Sequence, residues 1–405
     1  MPGIDKDFYK LMHKDSVCGT VRIETSGGAL SGWKSAGTKL EPFLGNATLK
    51  KMKIWWIQRA VPGSRRMMES VIRKAGCLTS YEYLAKNLAL SMTDCYWLCP
   101  IDEDLHWKDV SLHKQAEYNE GKLPYHNATS YDPNATLGGQ MEKYWDLNEH
   151  PPMLVKTAST HFGQQAVNEA MASMIHKRQD NNIPFVQYGL RKSADKNIQS
   201  GCHAFTNENV EFVPAYEIVE SAKKAGSVSG YDFYISKCTA AGIDWMQEYM
   251  DYLTLSDFVI TNTDEHLLNF GVLRDSDSGR LTGPAPIFDS GNSMLYADDD
   301  RTAPPTRAEL LSIEITGFHR SEERMLSHVK NKDILRVDLL PDKSEIMDFY
   351  TRWGIPETKA RVISETYDLK CQMLDEFQHG KKISLYHEKE FTEKPHRKDS
   401  PWDFR

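Results

Sequence analysis

The sequence lacks any long run of apolar residues. No uninterrupted stretch approaches the roughly 20 residues that an α-helix needs to span a bilayer, so we expect no transmembrane helix and no membrane partner. Residues 1–7 also lack the basic segment followed by an apolar core that marks a secretory signal peptide. These two absences favour a cytoplasmic protein.

Positive charge and paired cysteines are scarce as well. The formal net charge is −8, which argues against an autonomous DNA- or RNA-binding domain, so we expect no direct nucleic-acid binding. The seven cysteines are scattered, and the only close pair, Cys95 and Cys99, fits neither a zinc knuckle nor a Cys-x-x-Cys redox motif. Free thiols in a reducing cytosol explain them best.

The most informative feature that is present lies between positions 264 and 289. Asp264 is followed five residues later by Asn269, and Asp289 stands just before Ser290 and Gly291. Kinase-type phosphoryl transfer uses such a set, because one Asp orients or deprotonates the attacking hydroxyl while the Asn and a second Asp hold Mg²⁺. Mg²⁺ prefers oxygen ligands and usually takes one or two protein carboxylates. The plainer alternative is that these residues only form turns, as Asp, Asn and Gly often do.

The segment between the two aspartates predicts a short hairpin. Residues 270–273 form one apolar strand, residues 275–279 form a turn-rich tip, and residues 285–288 form the second extended piece. Such a hairpin brings one magnesium ligand at its start close to another at its end.

The tip of this hairpin also resembles the start of a calcium-binding loop. An EF-hand loop needs Gly at its sixth position and Glu at its twelfth. Counting from Asp275, Gly279 is fifth and Pro286 is twelfth. We therefore interpret the tip as a solvated turn.

Upstream, the chain contains the pieces of an ATP-holding lobe in the expected order. Residues 136–143 form a small-residue turn whose backbone N–H groups can approach phosphate closely. A short apolar strand ends at Lys156, and a helix with apolar residues three and four positions apart contains Glu169. In kinases such a lysine holds the α- and β-phosphates, and such a glutamate fixes the lysine. The residues expected to contact the nucleotide are Thr136, Gly138, Gly139, Gln140, Lys143 and Lys156.

The pattern of elements divides the chain into three parts. Residues 1–130 mix strand-like and helical stretches, residues 131–215 are rich in strand candidates, and residues 216–405 are mainly helical. Trp55 and Trp56 are expected in a core or at an interface. A small basic cluster is expected on a solvated face, namely Arg59, Arg65 and Arg66.

Together these motifs resemble the HipA family of bacterial serine/threonine kinases, which shares a distant plan with the phosphatidylinositol 3/4-kinases. The family's Gly-x-x-Glu-Lys phosphate loop is matched at residues 139–143, and its Asn-Glu helix motif is matched at Asn168 and Glu169. Its catalytic loop, Thr-Asp-x-His-x-x-Asn-Phe, is matched at residues 263–270. These motifs leave residues 1–130 largely unassigned.

The resemblance implies an α+β, bilobal protein-kinase-like fold. Residues 1–130 would be an added N-terminal subdomain, residues 131–215 the strand-rich, ATP-binding N-lobe, and residues 216–405 an all-α C-lobe with the catalytic loop and metal site. His266 would support the catalytic loop, although it could equally be a turn histidine bonded to a backbone carbonyl. Thr136 lies near the position of the family's inhibitory, autophosphorylated serine.

Two departures from the family pattern carry expectations of their own. Glu265 stands where related kinases often have a small or basic residue, so we expect more negative charge near the γ-phosphate. No helix-turn-helix partner is fused to the chain, so a toxin–antitoxin role is not carried over, although a separate regulatory partner is conceivable.

The first hypothesis is therefore a kinase that uses ATP and Mg²⁺ to phosphorylate a Ser or Thr hydroxyl of a protein. Asp264, His266, Lys156 and Glu169 are the expected catalytic residues, and Asn269 and Asp289 the expected metal ligands. A second hypothesis keeps the fold but makes the acceptor a small molecule or a lipid, and the acidic run at 298–300 could then meet a basic substrate. A third is a nucleotide-sensing pseudokinase that acts as a binding module.

Overall fold

The computed structural model describes residues 7–62, 68–113 and 131–393. Its first sheet contains β1 (Phe8–His13), β2 (Ser16–Ile23), β3 (Leu30–Ser35) and β4 (Tyr96–Pro100). The strands are antiparallel in the order β3-β2-β1-β4. The turn between β2 and β3 contains Gly27 and Gly28, both with the positive φ that glycine adopts readily.

Four helices belong to the same part of the chain, namely α1 (Leu49–Arg59), α2 (Met68–Lys74), α3 (Ser80–Lys86) and α4 (Trp107–Val110). The first begins at Thr48, whose side chain accepts the backbone N–H of Lys51. It packs on β3 and buries Trp55 and Trp56 in the core that it forms with the first sheet, in agreement with the sequence-based expectation.

The expectation of a solvated face for Arg59 is wrong. This side chain is buried, makes two hydrogen bonds of 2.7 Å to the carboxylate of Asp94, and lies over the ring of Trp55. The cause is the position of Arg59 at the end of α1, where the carbonyl of Ala89 also accepts its Nε–H at 2.7 Å. Arg65 and Arg66 lie outside the described residues.

The second sheet contains β5 (Glu142–Asp146), β6 (Met153–Ala158), β7 (Gly189–Lys192) and β8 (Ile198–His203). Its antiparallel strands have the order β5-β6-β8-β7. The register aligns Lys156 of β6 with Lys143 of β5 and with Ser200 of β8. Helix α5 (Gln164–Arg178) packs on this sheet. Lys156 and Glu169 therefore come from adjacent elements.

The apolar residues at 185–190 favour a strand by composition, but only their end pairs in the second sheet, as part of β7. Phe185 instead makes an isolated parallel bridge with Ile287. The N–H of Val186 donates to the carbonyl of Ile287 at 2.8 Å, so this segment pairs with the chain leading to Asp289 rather than with β8.

The third sheet contains β9 (Val210–Pro214), β10 (Gly271–Asp275) and β11 (Leu281–Pro284), in the antiparallel order β11-β10-β9. The hairpin expected after Asn269 is present, but its second strand is β11 and not residues 285–288. The tip closes where the N–H of Asp275 donates to the carbonyl of Arg280 at 2.9 Å, so the residues directly after the tip pair with β10.

The rest of the described chain is mainly helical. The all-α character that the resemblance implied for residues 216–405 is wrong, because the hairpin of β10 and β11 lies within that range. The helices are α6 (Ala215–Glu220), α7 (Gly230–Ala240), α8 (Met246–Ile260), α9 (Arg307–Ser312), α10 (Glu322–Leu326), α11 (Lys343–Arg352), α12 (Glu357–Gln378) and α13 (Leu385–Glu393). Short 3₁₀ turns cover Phe43–Gly45, Pro133–Thr136, His161–Gly163, Lys332–Ile334 and Val337–Leu339. The mixture of helices and antiparallel sheets agrees with the α+β class.

Helix α8 is at the centre of this helical part. Most of its residues are buried, and they join the core formed with α5 and α12. The helix ends at Thr261, which has a φ of +51°, and the segment containing Asp264 begins at once. The predicted break between α11 and α12 is also present, with Gly354 at positive φ and Pro356 as the residue just before α12.

The charged C-terminal segment is helical from Leu385 to Glu393, and residues 394–405 lie outside the described part. In the described ranges, no helix combines the length and apolar character needed to cross a membrane.

Candidate active site

A cleft of about 590 Å³ brings the sequence-predicted site residues together. These residues come from the turn before β5, from β5 and β6, from the segment after α8 and from the segment after β11, and residues of α1, α5 and β8 also line the cleft. All the predicted catalytic, nucleotide-contacting and metal-ligating residues except Glu169 line it: Thr136, Gly138, Gly139, Gln140, Lys143, Lys156, Asp264, His266, Asn269 and Asp289.

Lys156 lies at the centre of a cluster of buried charges. Its ammonium contacts the carboxylate of Glu169 on one side and Oδ1 of Asp289, at 2.5 Å, on the other. Glu169 is fully enclosed and also accepts the hydroxyl of Ser200, so it lies behind Lys156 rather than in the cleft. The side chain of Asp289 is 34% exposed. The cluster is therefore closed at Glu169 and open at Asp289.

Within this cluster, Lys156 and Asp289 stabilise each other's charge. Burial alone would lower the pKa of Lys156, but Asp289 and Glu169 outweigh it and hold that pKa well above its usual value. Burial alone would raise the pKa of Asp289, but Lys156 and Lys143 hold it well below its usual value. The Lys156–Asp289 pair is therefore ionised at neutral pH.

Asp264 sits in a loop whose shape depends on backbone hydrogen bonds. Its N–H donates to Oδ1 of Asn262 at 3.2 Å, and its carbonyl accepts the N–H of His266 at 2.8 Å. The same carbonyl accepts Nδ2–H of Asn269, also at 2.8 Å. Because the NH₂ group of Asn269 is used in this way, its amide oxygen is the atom available to a ligand.

The carboxylate of Asp264 is held by a residue that sequence reasoning missed. Asn292 donates its Nδ2–H to Oδ2 of Asp264 at 2.7 Å, and Gln165 of α5 donates to Oδ1 of Asn292 at 2.7 Å. In the described ranges, no hydrogen bond reaches Oδ1 of Asp264. One carboxylate oxygen is thus held in place while the other faces the cleft.

Asp289 has a φ of +64°, which is uncommon for a residue with a side chain. Its N–H donates to the hydroxyl oxygen of Tyr188 at 3.3 Å, and the ring of Tyr188 lies 5.4 Å from Nζ of Lys156. Such conformations persist only where the surroundings hold them, and they concentrate at functional sites. Tyr188 is a second contributor that the motifs did not indicate.

The turn at 136–143 lies along the edge of the cleft. Thr136 ends the 3₁₀ turn Pro133–Thr136. Gly139 has a φ of +78°, and a Cβ placed there would lie 3.1 Å from Nζ of Lys143. Glycine therefore allows both the backbone conformation and the approach of the Lys143 ammonium. Lys143 is also close enough to lower the pKa of Asp289.

His266 lines the cleft, and only one of the two interpretations considered above depends on a hydrogen bond of its ring to a backbone carbonyl. Its Nδ1 is buried and has no hydrogen-bond partner among the residues that the structure describes, so the expected bond to a backbone carbonyl is not found there. Its backbone carbonyl accepts the N–H of Asn269 at 2.8 Å, so His266 supports the loop through its backbone.

The expectation for Glu265 is wrong, because its side chain does not line the cleft. It points into a separate cavity of about 30 Å³ on the other side of the loop, where it accepts Nδ2–H of Asn262 at 3.1 Å. Burial, reinforced by Asp257, Asp289 and Asp264, raises the pKa of Glu265 well above its usual value. The adjacent Asp264 lines the main cleft instead, so these two consecutive side chains of the loop meet different cavities.

The acidic run at 298–300 is largely neutralised within the chain. Asp298 accepts from Arg301 at 2.6 Å, and Asp299 contacts both Lys359 and, at 2.8 Å, His161. These pairs leave little of the run to meet a basic substrate.

The donor set of the cleft fits Mg²⁺ bound together with phosphate. The oxygen atoms available to it belong to Asp289 and to the Asn269 amide, and Mg²⁺ in nucleotide sites usually takes one or two carboxylates plus substrate phosphates. Across the described ranges, no group of three or more His, Cys, Asp or Glu side chains is arranged to hold a metal ion by itself. Phosphate oxygens would have to complete the coordination.

Comparison with known proteins gives no match by sequence, since no family model and no curated protein matches the chain. Comparison of folds finds the Helicobacter pylori proinflammatory kinase CtkA, with a TM-score of 0.42, 18% identity, and coverage of 62% of this chain and 94% of CtkA. It also finds HipA from a Shewanella oneidensis toxin–antitoxin system, solved with HipB and its operator DNA. There the TM-score is 0.49, the identity is 12%, and coverage is 92% of this chain and 100% of the other.

Proposed function

We propose that this chain is an ATP- and Mg²⁺-dependent kinase that transfers the γ-phosphate to a Ser or Thr hydroxyl of a protein. One observation carries the proposal. Residues drawn from four separate segments of the chain, each assigned a phosphoryl-transfer role from its motif, line a single cleft. Turns and edge strands with no shared role would have no reason to converge in this way.

The lining of the cleft includes two chemically different groups of side chains. One is aromatic, where Phe205, Phe212 and Phe288 pack with ring centroids 5.4–5.9 Å apart. The other is polar and contains Lys143 and Lys156. An adenine base favours the first environment, and phosphates favour the second. In this arrangement the N-lobe of residues 131–215 holds the nucleotide, and the C-lobe of residues 216–405 supplies Asp264.

Asp264 is the proposed proton acceptor. The hydroxyl oxygen of the acceptor attacks the γ-phosphorus while the bond from that phosphorus to the β,γ-bridging oxygen breaks. ADP leaves with the electron pair of that bond, and the hydroxyl proton passes to Oδ1 of Asp264, the oxygen that faces the cleft. The products are the phosphorylated acceptor, ADP and one proton.

Lys156 and the metal ligands act on the phosphates. Lys156, held by Glu169, would bind the α- and β-phosphates, and Asn269 and Asp289 would hold Mg²⁺. Bound Mg²⁺ would neutralise charge that develops on the β- and γ-phosphate oxygens. In the structure Lys156 contacts Asp289 directly, so nucleotide binding requires the lysine to exchange one carboxylate contact for phosphate contacts.

The decisive experiment is autophosphorylation with γ-labelled ATP and Mg²⁺, in parallel for the wild type, Asp264→Asn and Asp289→Asn. We expect label on the wild type alone. Mapping the modified residue would show whether Thr136 is modified, which would point to self-inhibition. Full labelling of the Asp289→Asn variant would contradict the assignment of the metal site.

The nature of the acceptor needs a separate experiment, because fold and cleft do not determine it. A bacterial lysate incubated with the enzyme and labelled ATP should yield labelled protein that carries phosphoserine or phosphothreonine. Label confined to small molecules or lipids would support the second hypothesis. Tight nucleotide binding with no transfer to any acceptor would support a nucleotide-sensing module.

A further inference from the structure

Helix α5 holds the segment after Asp289 through a row of amide side chains. Gln164 donates to the carbonyl of Met294 at 2.9 Å, and Asn168 donates to the carbonyls of Gly291 at 2.8 Å and Ser293 at 2.7 Å. These three bonds end on backbone atoms. They attach residues 291–294 to the same helix that carries Glu169, the partner of Lys156.

Gln165 differs from its neighbours on the helix because its bond ends on a side chain that reaches Asp264. Its Nε2–H donates to Oδ1 of Asn292, and Nδ2–H of Asn292 donates to Oδ2 of Asp264, each at 2.7 Å. The result is a continuous chain of two hydrogen bonds from α5 to the proposed proton acceptor.

The chemistry of the groups fixes the direction of this chain. An ionised carboxylate can only accept hydrogen bonds, so Asn292 must present its NH₂ group to Asp264. Its amide oxygen then faces Gln165, which must in turn present its own NH₂ group. Gln165 thereby prevents the amide of Asn292 from turning over, which would place an oxygen against the carboxylate of Asp264.

The backbone of Asn292 contacts the same loop independently of its side chain. Its carbonyl accepts the N–H of Thr263 at 3.2 Å and the hydroxyl of Thr263 at 3.0 Å. A substitution of Asn292 therefore removes the bond to Asp264 while leaving these backbone contacts of the loop in place.

We propose that Gln165 and Asn292 form a positioning relay that aligns the carboxylate of Asp264 with the nucleotide site. One helix, α5, then sets both halves of the reaction centre, since Glu169 positions Lys156 and Gln165 positions Asp264 through Asn292. The relay holds Oδ2 of Asp264 and directs Oδ1 towards the acceptor hydroxyl. The catalytic role of the relay rests on the proposed kinase function, whereas its two hydrogen bonds are present in the structure whatever the function is.

Steady-state kinetics of two Asn292 variants test the relay. Asn292→Ala removes the donor, and we expect kcat to fall by about 10- to 100-fold, because a reacting group displaced by about 1 Å can lose that much. The KM for ATP should change by less than about threefold, since the nucleotide contacts are untouched. Asn292→Asp keeps the shape but places a second carboxylate against Asp264, so its kcat should fall at least as far. A purely structural role would instead make the isosteric variant the milder one.

Two variants on α5 serve as matched comparisons. Gln165→Glu would draw the NH₂ group of Asn292 away from Asp264, so kcat should fall through the loss of the bond between Asn292 and Asp264. Gln164→Ala loosens the same segment at Met294 without reaching Asp264, and should lower kcat less than Asn292→Ala does. Unchanged kcat in both Asn292 variants of an active enzyme would overturn the relay.

A crystal structure of the full-length Asn292→Asp variant provides a readout that needs no activity. The relay predicts that the Asp264 carboxylate turns away from position 292 while Thr263 keeps its bonds to the backbone there. A carboxylate that stays in place would overturn the relay even in an active kinase. A carboxylate that turns in a protein with no transferase activity would support the relay as a positional device and count against the proposed function alone.

Discussion

Two clusters of buried charges lie in this protein, and they differ in how completely the chain satisfies them. The first joins β1, β9 and β10. Glu211 accepts from His13 at 2.9 Å and from Arg274 at 2.9 Å, and its Oε1 also accepts the N–H of Cys95 at 2.7 Å. The three side chains of His13, Glu211 and Arg274 are at most 2% exposed. This cluster is complete without any ligand.

The second cluster consists of Lys156, Glu169 and Asp289. Its inner end is as enclosed as the first cluster, but Asp289 is 34% exposed to the cleft. Oδ1 of Asp289 contacts Lys156, and in the described ranges no hydrogen bond reaches its other carboxylate oxygen. A buried cluster of charged groups therefore contributes to stability where it is fully enclosed. Where one of its side chains is exposed to a cleft, as Asp289 is, that side chain is available to bind a ligand.

The contrast between the two clusters predicts that substitutions in the cleft affect activity and not stability. Asp264, which lines the cleft, gives the largest expected effect. Asp264→Asn removes the proposed proton acceptor, and we expect kcat to fall by about 10²- to 10⁴-fold. The unfolding free energy should change by less than about 0.5 kcal/mol, because the amide keeps the shape of a side chain that faces the cleft. Transfer kinetics and urea unfolding of the same preparations measure the two effects. Loss of folding with loss of activity would contradict the separation.

The sealed cluster should show the opposite result. Glu211→Gln leaves Arg274 buried without its counter-charge, and we expect a loss of about 3–5 kcal/mol of stability. The control is Glu345→Gln, which breaks the exposed ion pair with Arg178 and should lose about 1 kcal/mol or less. The shift in urea midpoint measures both, while activity per folded molecule should be retained. Equal shifts for the two variants would show that burial makes no difference here.

The stability that the ionised carboxylate of Glu211 contributes should also depend on pH. Burial opposes the charge of Glu211, but Arg274 and His13 lower its pKa from 4.5 to about 2. Because the folded-state pKa lies below the ordinary value, the ionised carboxylate stabilises the fold fully above about pH 4.5, by about 3 kcal/mol, and this contribution is lost as the pH falls towards 2. The stability difference between wild type and Glu211→Gln should therefore shrink from pH 5 to pH 2.5. A constant difference over that range would contradict the assigned cause.

A smaller effect is expected at Gly291, where the segment after Asp289 lies against α5. A Cβ at this position would lie 3.2 Å from the backbone oxygen of Gln165 and 3.7 Å from Cγ of Glu169. Since the helix backbone cannot yield, Gly291→Ala should cost about 1–3 kcal/mol and shift the segment that aligns Asp264. Thermal unfolding and kcat measure the outcome. Full stability with full activity would show that the segment can move away without consequence.

The smallest effect is expected at the acidic run. Asp300→Asn removes an exposed charge next to two aspartates that are already paired, and should change stability by less than about 0.5 kcal/mol. The KM for a protein acceptor should also stay unchanged. A clear rise in that KM would restore the run as a site that recognises a basic substrate.

The parts of the site that could be predicted are those in which the chemistry is local in sequence. Asp264 and Asn269 are five residues apart, and Lys156 and Glu169 are separated by one strand end and part of a helix. Phosphate chemistry restricts which residue types can fill such spacings, so the motifs were informative before any packing was known. Their convergence on one cleft is a property of the structure, and their individual roles stay predictions until they are measured.

The features of the site and fold that could not be predicted depend on long-range packing. The sequence does not show which side of a helix, strand or loop contacts another element. The bond between Gln165 and Asn292 joins residues 127 positions apart, and neither belongs to the motifs that carried the prediction. Arg59 was placed on a solvated face because the sequence of α1 does not show that its last turn meets Asp94. The second hairpin strand was placed too late, because the tip closes four residues earlier than the apolar pattern suggested.

The sequence by itself determined the candidate chemistry, because carboxylates, amides and a lysine at restricted spacings suit few reactions other than phosphoryl transfer. Tertiary structure decided which of those groups line a cleft that can hold a ligand and which are buried away from it. Glu265 shows the difference most simply, since it adjoins Asp264 in sequence yet points into a separate cavity. The physical reason is that the loop turns here, since the N–H of His266 bonds to the carbonyl of Asp264, and only long-range packing decides which side of that turn meets the cleft.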